Sequence, residues 1–249
     1  MKQLQRSNNQ GMLGLKQRVK CALLPPGLLP RQVRFGLLKG LRMDIDFAHD
    51  TQLWLGLYER ELHGWFHKLS QGISTAIDVG ANAGSYTLYF LARTPARKVL
   101  AFEPDGEALS ILRKNLALNR LSSDGRLEII PRVVSSYADQ NNVILDSYAK
   151  RVISPCLVKI DAEGGEVVAL SGARQLFSLP GIRWIVETHA PQLEEECVRI
   201  FREAGYRTAL VPNAWWRFAV PEYRPGQQNR WLIAVREKTS SEIPSFRGR

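Results

Sequence analysis

The sequence predicts an α/β fold in which a mostly parallel sheet carries helices on both faces. Three observations predict it. The stretch Ser74–Ala92, STAIDVGANAGSYTLYFLA, passes from a short apolar run through a glycine turn into a helical pattern. Further apolar runs of strand length recur down the chain with helical patterns between them. Three of those runs end at or beside an acid, Glu103, Asp161 or Glu187, and strand ends are where such sheets bind ligands.

The chain has 249 residues, enough for one large domain with its own core, and its 45% hydrophobic and 23% charged residues are ordinary for a globular protein. Cys21, Cys156 and Cys197 are too scattered for a disulfide framework or a metal-binding spacing, which favours a reducing compartment. The net charge of +10 is uneven. No acid precedes Asp44, whereas nine Lys and Arg do; the other 25 basic residues nearly balance the 24 acids.

Residues 1–43 therefore read as a basic N-terminal arm suited to anionic lipid, nucleic acid or an acidic glycan, or as a solvated extension over the domain. Leu13, Leu15, Val19, Leu23 and Leu24 suggest a short helix stopped by Pro25-Pro26. No apolar run reaches the length of a membrane span and no signal peptide is evident. A cytoplasmic protein is expected, with peripheral membrane contact through residues 1–43 as a further expectation. The domain proper is expected over 44–237, opening with a covering helix at 51–69 whose apolar face includes Leu53, Trp54, Leu57, Phe66 and Leu69. Gly56 and Gly64 weaken its continuity.

The first strand ends at Asp78-Val79, and the turn Gly80-Ala81-Asn82-Ala83-Gly84 leads to a helix at Ser85. Glycines admit close approach of a ligand to backbone, and helix-start amides offer free donors. The pattern D-x-G-x-x-x-G lacks a glycine of the dinucleotide fingerprint, and Asp78 would repel a pyrophosphate, so a nicotinamide oxidoreductase is disfavoured. An acid there suits an ammonium, as in S-adenosylmethionine, whose carboxylate would meet Gly84 and Ser85. Asp78 as a helix cap is the competing role.

The second strand, Val99–Phe102, ends in Glu103-Pro104. A carboxylate at that place has two acceptor oxygens for a ribose diol. Asp105 caps the next helix, which carries Leu109, Leu112 and Leu116. The third strand reads as Leu127–Val134. Ser135 and Ser136 follow where an adenine ring would lie, although a plain turn accounts for them equally well.

The fourth strand, Cys156–Asp161, contains Lys159, which demands a nearby acid. The fifth, Trp184–Thr188, brings Glu187 and His189 to the same edge as Asp161, and Pro191 opens a helix. His189 is the first candidate for general base because its ordinary pKa is near neutral, Asp161 the second, with Glu187 beside them. Asp161 also has the alternative of holding the cofactor's methionine part, and His189 of capping the next helix. These three have the chemistry for magnesium or manganese, but the spacing is not diagnostic and no metal is assigned. Strands at 206–212 and 230–236 flank a loop, 213–229, with Trp215, Trp216, Phe218 and Tyr223, which suit a lid, a sugar-stacking surface or simple packing. The polar tail 238–249 reads as disordered.

IDVGANAGSYT, LAFEPD, LDSYA, VKIDAEGGE and IVETHAP, in this order, resemble the FkbM family of S-adenosylmethionine-dependent methyltransferases, as does LGLYEREL before the first strand. The resemblance covers roughly residues 40–236, and KIDAEGGE is its most specific part. It implies the class I methyltransferase Rossmann-like fold, with a seven-stranded sheet in the order 3-2-1-4-5-7-6 and strand seven antiparallel. It also implies O-methylation of a sugar, glycan or secondary-metabolite hydroxyl. The residues expected at the cofactor are Asp78, Gly80, Ala81, Asn82, Gly84, Ser85, Glu103, Pro104, Ser135 and Asp161. The segment between Val134 and Leu145 is shorter than in many relatives, which implies a more open acceptor site. A nucleic-acid methyltransferase using the basic arm and a non-catalytic cofactor-binding scaffold are the competing readings. The charge-balanced domain and the lack of an N-P-P-[YFW] motif make nucleic acid the less favoured acceptor.

Overall fold

The computed structural model describes residues 27–218 and 230–236. The predicted helix at Leu13–Leu24, most of the loop 213–229 (its residues 219–229) and the tail 238–249 lie outside the described residues. The chain divides into two units at Tyr58/Glu59.

In the first unit, β1 (Leu28–Gln32) pairs antiparallel with β2 (Arg42–Asp46). Met43 and Ile45 are buried, and the Arg31 guanidinium lies 3.6 Å from the centre of the Phe47 ring. The boundary expected at residue 43 thus falls inside a strand, because the hairpin needs both of its arms. The helix expected over 51–69 is also interrupted. α1 (Thr51–Leu55) ends where Gly56 turns left-handed, at φ 66°. A side chain there would stand 2.2 Å from the Phe35 carbonyl carbon. Glu59 has positive φ as well, and a 3-10 turn, Arg60–Leu62, separates it from α2 (His63–Leu69).

The second unit is built on one sheet. Its strands are β3 (Thr75–Val79), β4 (Lys98–Phe102), β5 (Leu127–Ile130), β8 (Cys156–Ile160), β9 (Ile182–Thr188), β10 (Arg207–Val211) and β11 (Arg230–Val235). Numbered one to seven in chain order, these lie as 3-2-1-4-5-7-6, and β11 runs antiparallel to both neighbours. β3 and β8 are fully buried, consistent with near-continuous apolar sequence in central parallel strands.

The third strand is shorter than expected. It stops at Ile130 because Pro131 has no amide to donate, and Val133–Val134 form β6, paired with β7 (Asn142–Val143) in a separate small sheet. LDSYA lies in a 3-10 segment, Leu145–Arg151. Between strands run α3 (Ser85–Arg93), α4 (Gly106–Leu118), α5 (Glu166–Ser171), α6 (Arg174–Ser178) and α7 (Pro191–Glu203). Asp105 caps α4 as expected, its Oδ1 accepting from the amides of Glu107 and Ala108 at 3.0 and 2.8 Å. Trp184, Phe177, Phe201 and Tyr206 pack edge to face or tilted on one side of the sheet.

Candidate functional site

The carboxyl ends of β3, β4, β8 and β9 carry the site. The amides of Gly80 and Ala81 both donate to the Phe102 carbonyl, at 2.9 and 3.0 Å, so the turn after β3 is tied to the end of β4. Gly80 has φ 74°, and a side chain there would meet the Asp161 carbonyl oxygen at 1.9 Å. That contact brings the β3 turn directly against the tip of β8, and only glycine fits. Asn115 of α4, which carries no signal in the sequence, donates its side-chain amide to the Ala83 carbonyl at 2.8 Å and holds the far end of the turn.

Asp78 is fully buried. Its Oδ2 accepts from the Thr87 hydroxyl at 2.7 Å, while its Oδ1 has no hydrogen-bond partner among the described residues. Burial pushes the carboxyl above the ordinary carboxylate range, against the opposing pull of Lys159 and Thr87. A buried acid with one bare oxygen is costly by itself. It fits a ligand that brings a cationic donor. Asp78 is therefore not a helix cap: Gly84 occupies the cap position of α3 in a left-handed conformation.

Glu103 is buried at the next strand tip. Oε2 accepts from the Asn82 amide at 2.7 Å and Oε1 from the Asp105 amide at 2.9 Å. Each oxygen keeps a second lone pair, and the carboxylate plane is fixed from two sides. Asn82 reaches this position through a left-handed conformation at φ 49°. A fixed two-oxygen acceptor suits a vicinal diol. Pro104 is exposed beside it and Ser85 half-buried at the start of α3. Ser135 is buried at the end of β6, its amide bonded to Val143, and among the described residues no hydrogen bond joins it to Asp78 or Glu103.

Beyond Asp78 lies a buried polar cluster. Lys159 Nζ stands 3.3 Å from Asp161 Oδ2 and 4.8 Å from the centre of the Tyr86 ring, and the Tyr86 hydroxyl donates to Glu59. Burial draws the Lys159 ammonium downward, but Asp161, Asp78, Glu59 and Glu187 outweigh it and hold the group protonated. The acid that the sequence demanded for Lys159 is thus Asp161, with others around it. Phe66 of α2 stacks on Tyr86 at 4.4 Å, which roofs this part of the cluster.

Asp161, Glu187 and His189 come together as expected. His189 Nε2 lies 3.5 Å from Asp161 Oδ1 and 4.0 Å from Glu187 Oε1. His189 Nδ1 meets Oε1 of the fully buried Glu166 at 2.6 Å, and the same oxygen accepts from the Gly164 amide at 2.9 Å. Glu166 thereby aims Nε2 at the two acids. Its role was hidden in the sequence, because GGE reads as a helix start and nothing there reports a histidine 23 residues away. Burial lowers the His189 pKa, but the bond to Glu166 and the charges of Asp161, Glu166 and Glu163 raise it overall.

No protein-family model matches the chain. A methyltransferase FkbM from Methylobacillus flagellatus superposes with a TM-score of 0.53 at 17% identity, over 75% of this chain and 55% of that one. An rRNA methylase from Streptococcus thermophilus superposes with a TM-score of 0.50 at 13% identity, over 72% and 98%. A curated relative, methyltransferase sdnD of Sordaria araneosa, is 46% identical over 43 residues, 17% of each chain. The chain spans about half the length of the FkbM structure and a small part of sdnD. The fold of this chain is the class I methyltransferase Rossmann-like fold.

Proposed function

We propose that the chain is an S-adenosylmethionine-dependent O-methyltransferase of FkbM type, acting on a hydroxyl of a sugar, glycan or secondary metabolite. The observation that carries this reading is the pair of acids on adjacent strand tips: buried Asp78 with a bare Oδ1, and Glu103 presenting two fixed acceptor oxygens. Asp78 would receive the ammonium, Glu103 the ribose diol, and the Gly80–Gly84 turn would admit the rest of the nucleoside against backbone. When bound, S-adenosylmethionine would supply an electrophilic methyl group to the acceptor oxygen and leave as its demethylated thioether, with the acceptor proton given up to solvent.

The chain's own task is then to hold the acceptor in line and ease the loss of that proton. Asp161, Glu187 and His189 supply these functions from the tips of the next two strands. Gly80 packed on Asp161 fixes the acceptor side to the cofactor side. The acids of this cluster repel a phosphate-rich acceptor and favour a neutral hydroxyl compound.

Calorimetry with S-adenosylmethionine and its demethylated product tests the cofactor half, and a methyl-labelled donor offered to glycan, lipid-linked and secondary-metabolite acceptors tests the rest. Uptake of both nucleosides and label in an ether product are expected. Absence of uptake overturns the reading. Label in an RNA arm alone would replace it with the competing reading that the basic residues before Asp44 raise, and cofactor uptake without transfer would favour a scaffold.

A further inference from the structure

The three acceptor-side groups share a geometry that methyl transfer by itself does not require. One ligand atom from each of Asp161, Glu187 and His189 lies within 4.8 Å of the other two. In two of these side chains the other polar atom is already engaged. Asp161 gives Oδ2 to Lys159 and turns Oδ1 toward the cluster. His189 gives Nδ1 to Glu166 and turns Nε2 the same way. A carboxylate behind an imidazole is the arrangement that orients and strengthens a metal-binding histidine.

Charge points in the same direction. Glu59, Asp78, Asp161 and Glu187 surround the single ammonium of Lys159, and Glu166 and Glu163 join Asp161 around His189. Glu59, Asp78, Glu166 and Glu187 are all buried. S-adenosylmethionine brings one net positive charge, which is spent at Asp78. The carboxylates here outnumber the cationic groups beside them, a setting that favours a further cation.

Building on the function proposed above, we propose that Asp161, Glu187 and His189 bind a divalent cation, Mg2+ or Mn2+, which takes the acceptor oxygen as a further ligand and lowers the pKa of that hydroxyl. Two carboxylates and one imidazole suit these hard cations, and three protein ligands leave positions open for an acceptor. Neighbouring hydroxyls of a sugar or polyol would bind such a cation together, which adds selectivity for a vicinal diol.

The test is a titration of the full chain with Mn2+, reading the free ion by electron paramagnetic resonance. About one Mn2+ per chain is expected, displaced by Mg2+, with nitrogen hyperfine coupling from one imidazole. Asp161→Asn and Glu187→Gln should each weaken Mn2+ binding at least about tenfold. No bound Mn2+ at about 1 mM, a bound ion without nitrogen coupling, or unchanged affinity in folded variants overturns the proposal. The hyperfine measurement on the unaltered chain decides the matter if the variants fail to fold. Calorimetry with the demethylated cofactor product on chelator-treated protein separates the two readings. Its uptake without any Mn2+ site sinks the cation alone, whereas no uptake in either state sinks the methyltransferase.

Discussion

Asp78 and Gly80 carry opposite burdens although only two residues apart. Asp78 is a carboxyl that burial disfavours in its charged form, so at neutral pH it weakens the fold, a cost that the proposed ligand ammonium would offset. Asp78→Asn is expected to reduce binding of S-adenosylmethionine at least about tenfold, roughly 1.4 kcal/mol, while thermal unfolding shows an unchanged or raised Tm. Gly80 is a fold constraint. Gly80→Ala forces a left-handed alanine against the Asp161 carbonyl and should cost at least about 2 kcal/mol by chemical denaturation. Asp78 and Glu103 were legible in the sequence because each ends an apolar run. Thr87, Asn115, Glu59 and Glu166 were not, since the contacts that give them meaning close only when distant elements meet.

Among elements, the strands were easier to read than the helices. A buried run such as Cys156–Ile160 declares itself, whereas the break in 51–69 depends on Gly56 meeting the Phe35 carbonyl, which periodicity does not record. The split between β5 and β6 was signalled by Pro131 within an otherwise continuous run. Two expectations belong to this scale. Asp105→Ala removes the cap of α4 and should cost about 1 kcal/mol, roughly 2–4 °C in Tm. The 3-10 segment Trp215–Phe218 is anchored through Arg217, whose Nε reaches Glu61 Oε1 at 2.7 Å, while the Ala214 amide reaches the same oxygen at 3.0 Å. Burial raises the Glu61 pKa, but Arg217 and Ala214 lower it more. A depressed carboxyl stabilises above its unfolded pKa and loses that contribution as pH falls through the folded value. Hydrogen exchange at Ala214 should therefore stay slow, relative to its unprotected rate, from neutral pH down past the ordinary glutamate range, and Glu61→Gln should speed it at pH 7. Unchanged exchange in that variant would show the anchor to be idle. Trp215 itself is 82% exposed, as a sugar-stacking surface would need.

For the whole molecule, the strands could be read one by one, but their order came from the likeness of five motifs to a known family. Periodicity shows that a run is buried and does not show which neighbour buries it. The sheet order 3-2-1-4-5-7-6 is present as implied. The balance of buried charge is likewise a property of the assembled sheet, and Lys159 is its pivot. Lys159→Met leaves Asp161, Asp78 and Glu187 without their shared ammonium and should cost about 3–5 kcal/mol at pH 7. The loss should shrink toward pH 5 as the carboxyls take up protons, read by denaturant titration at the two values.

The position of β11 bears on how the chain is made. This strand, with Trp231, Leu232, Ile233 and Ala234 buried, lies between β9 and β10 although both precede it in the chain. During translation the ribosome releases the two outer partners before the piece that joins them. Until Arg230–Val235 leaves the exit tunnel, the edge of β9 stands bare, with its backbone donors and acceptors open to other nascent chains.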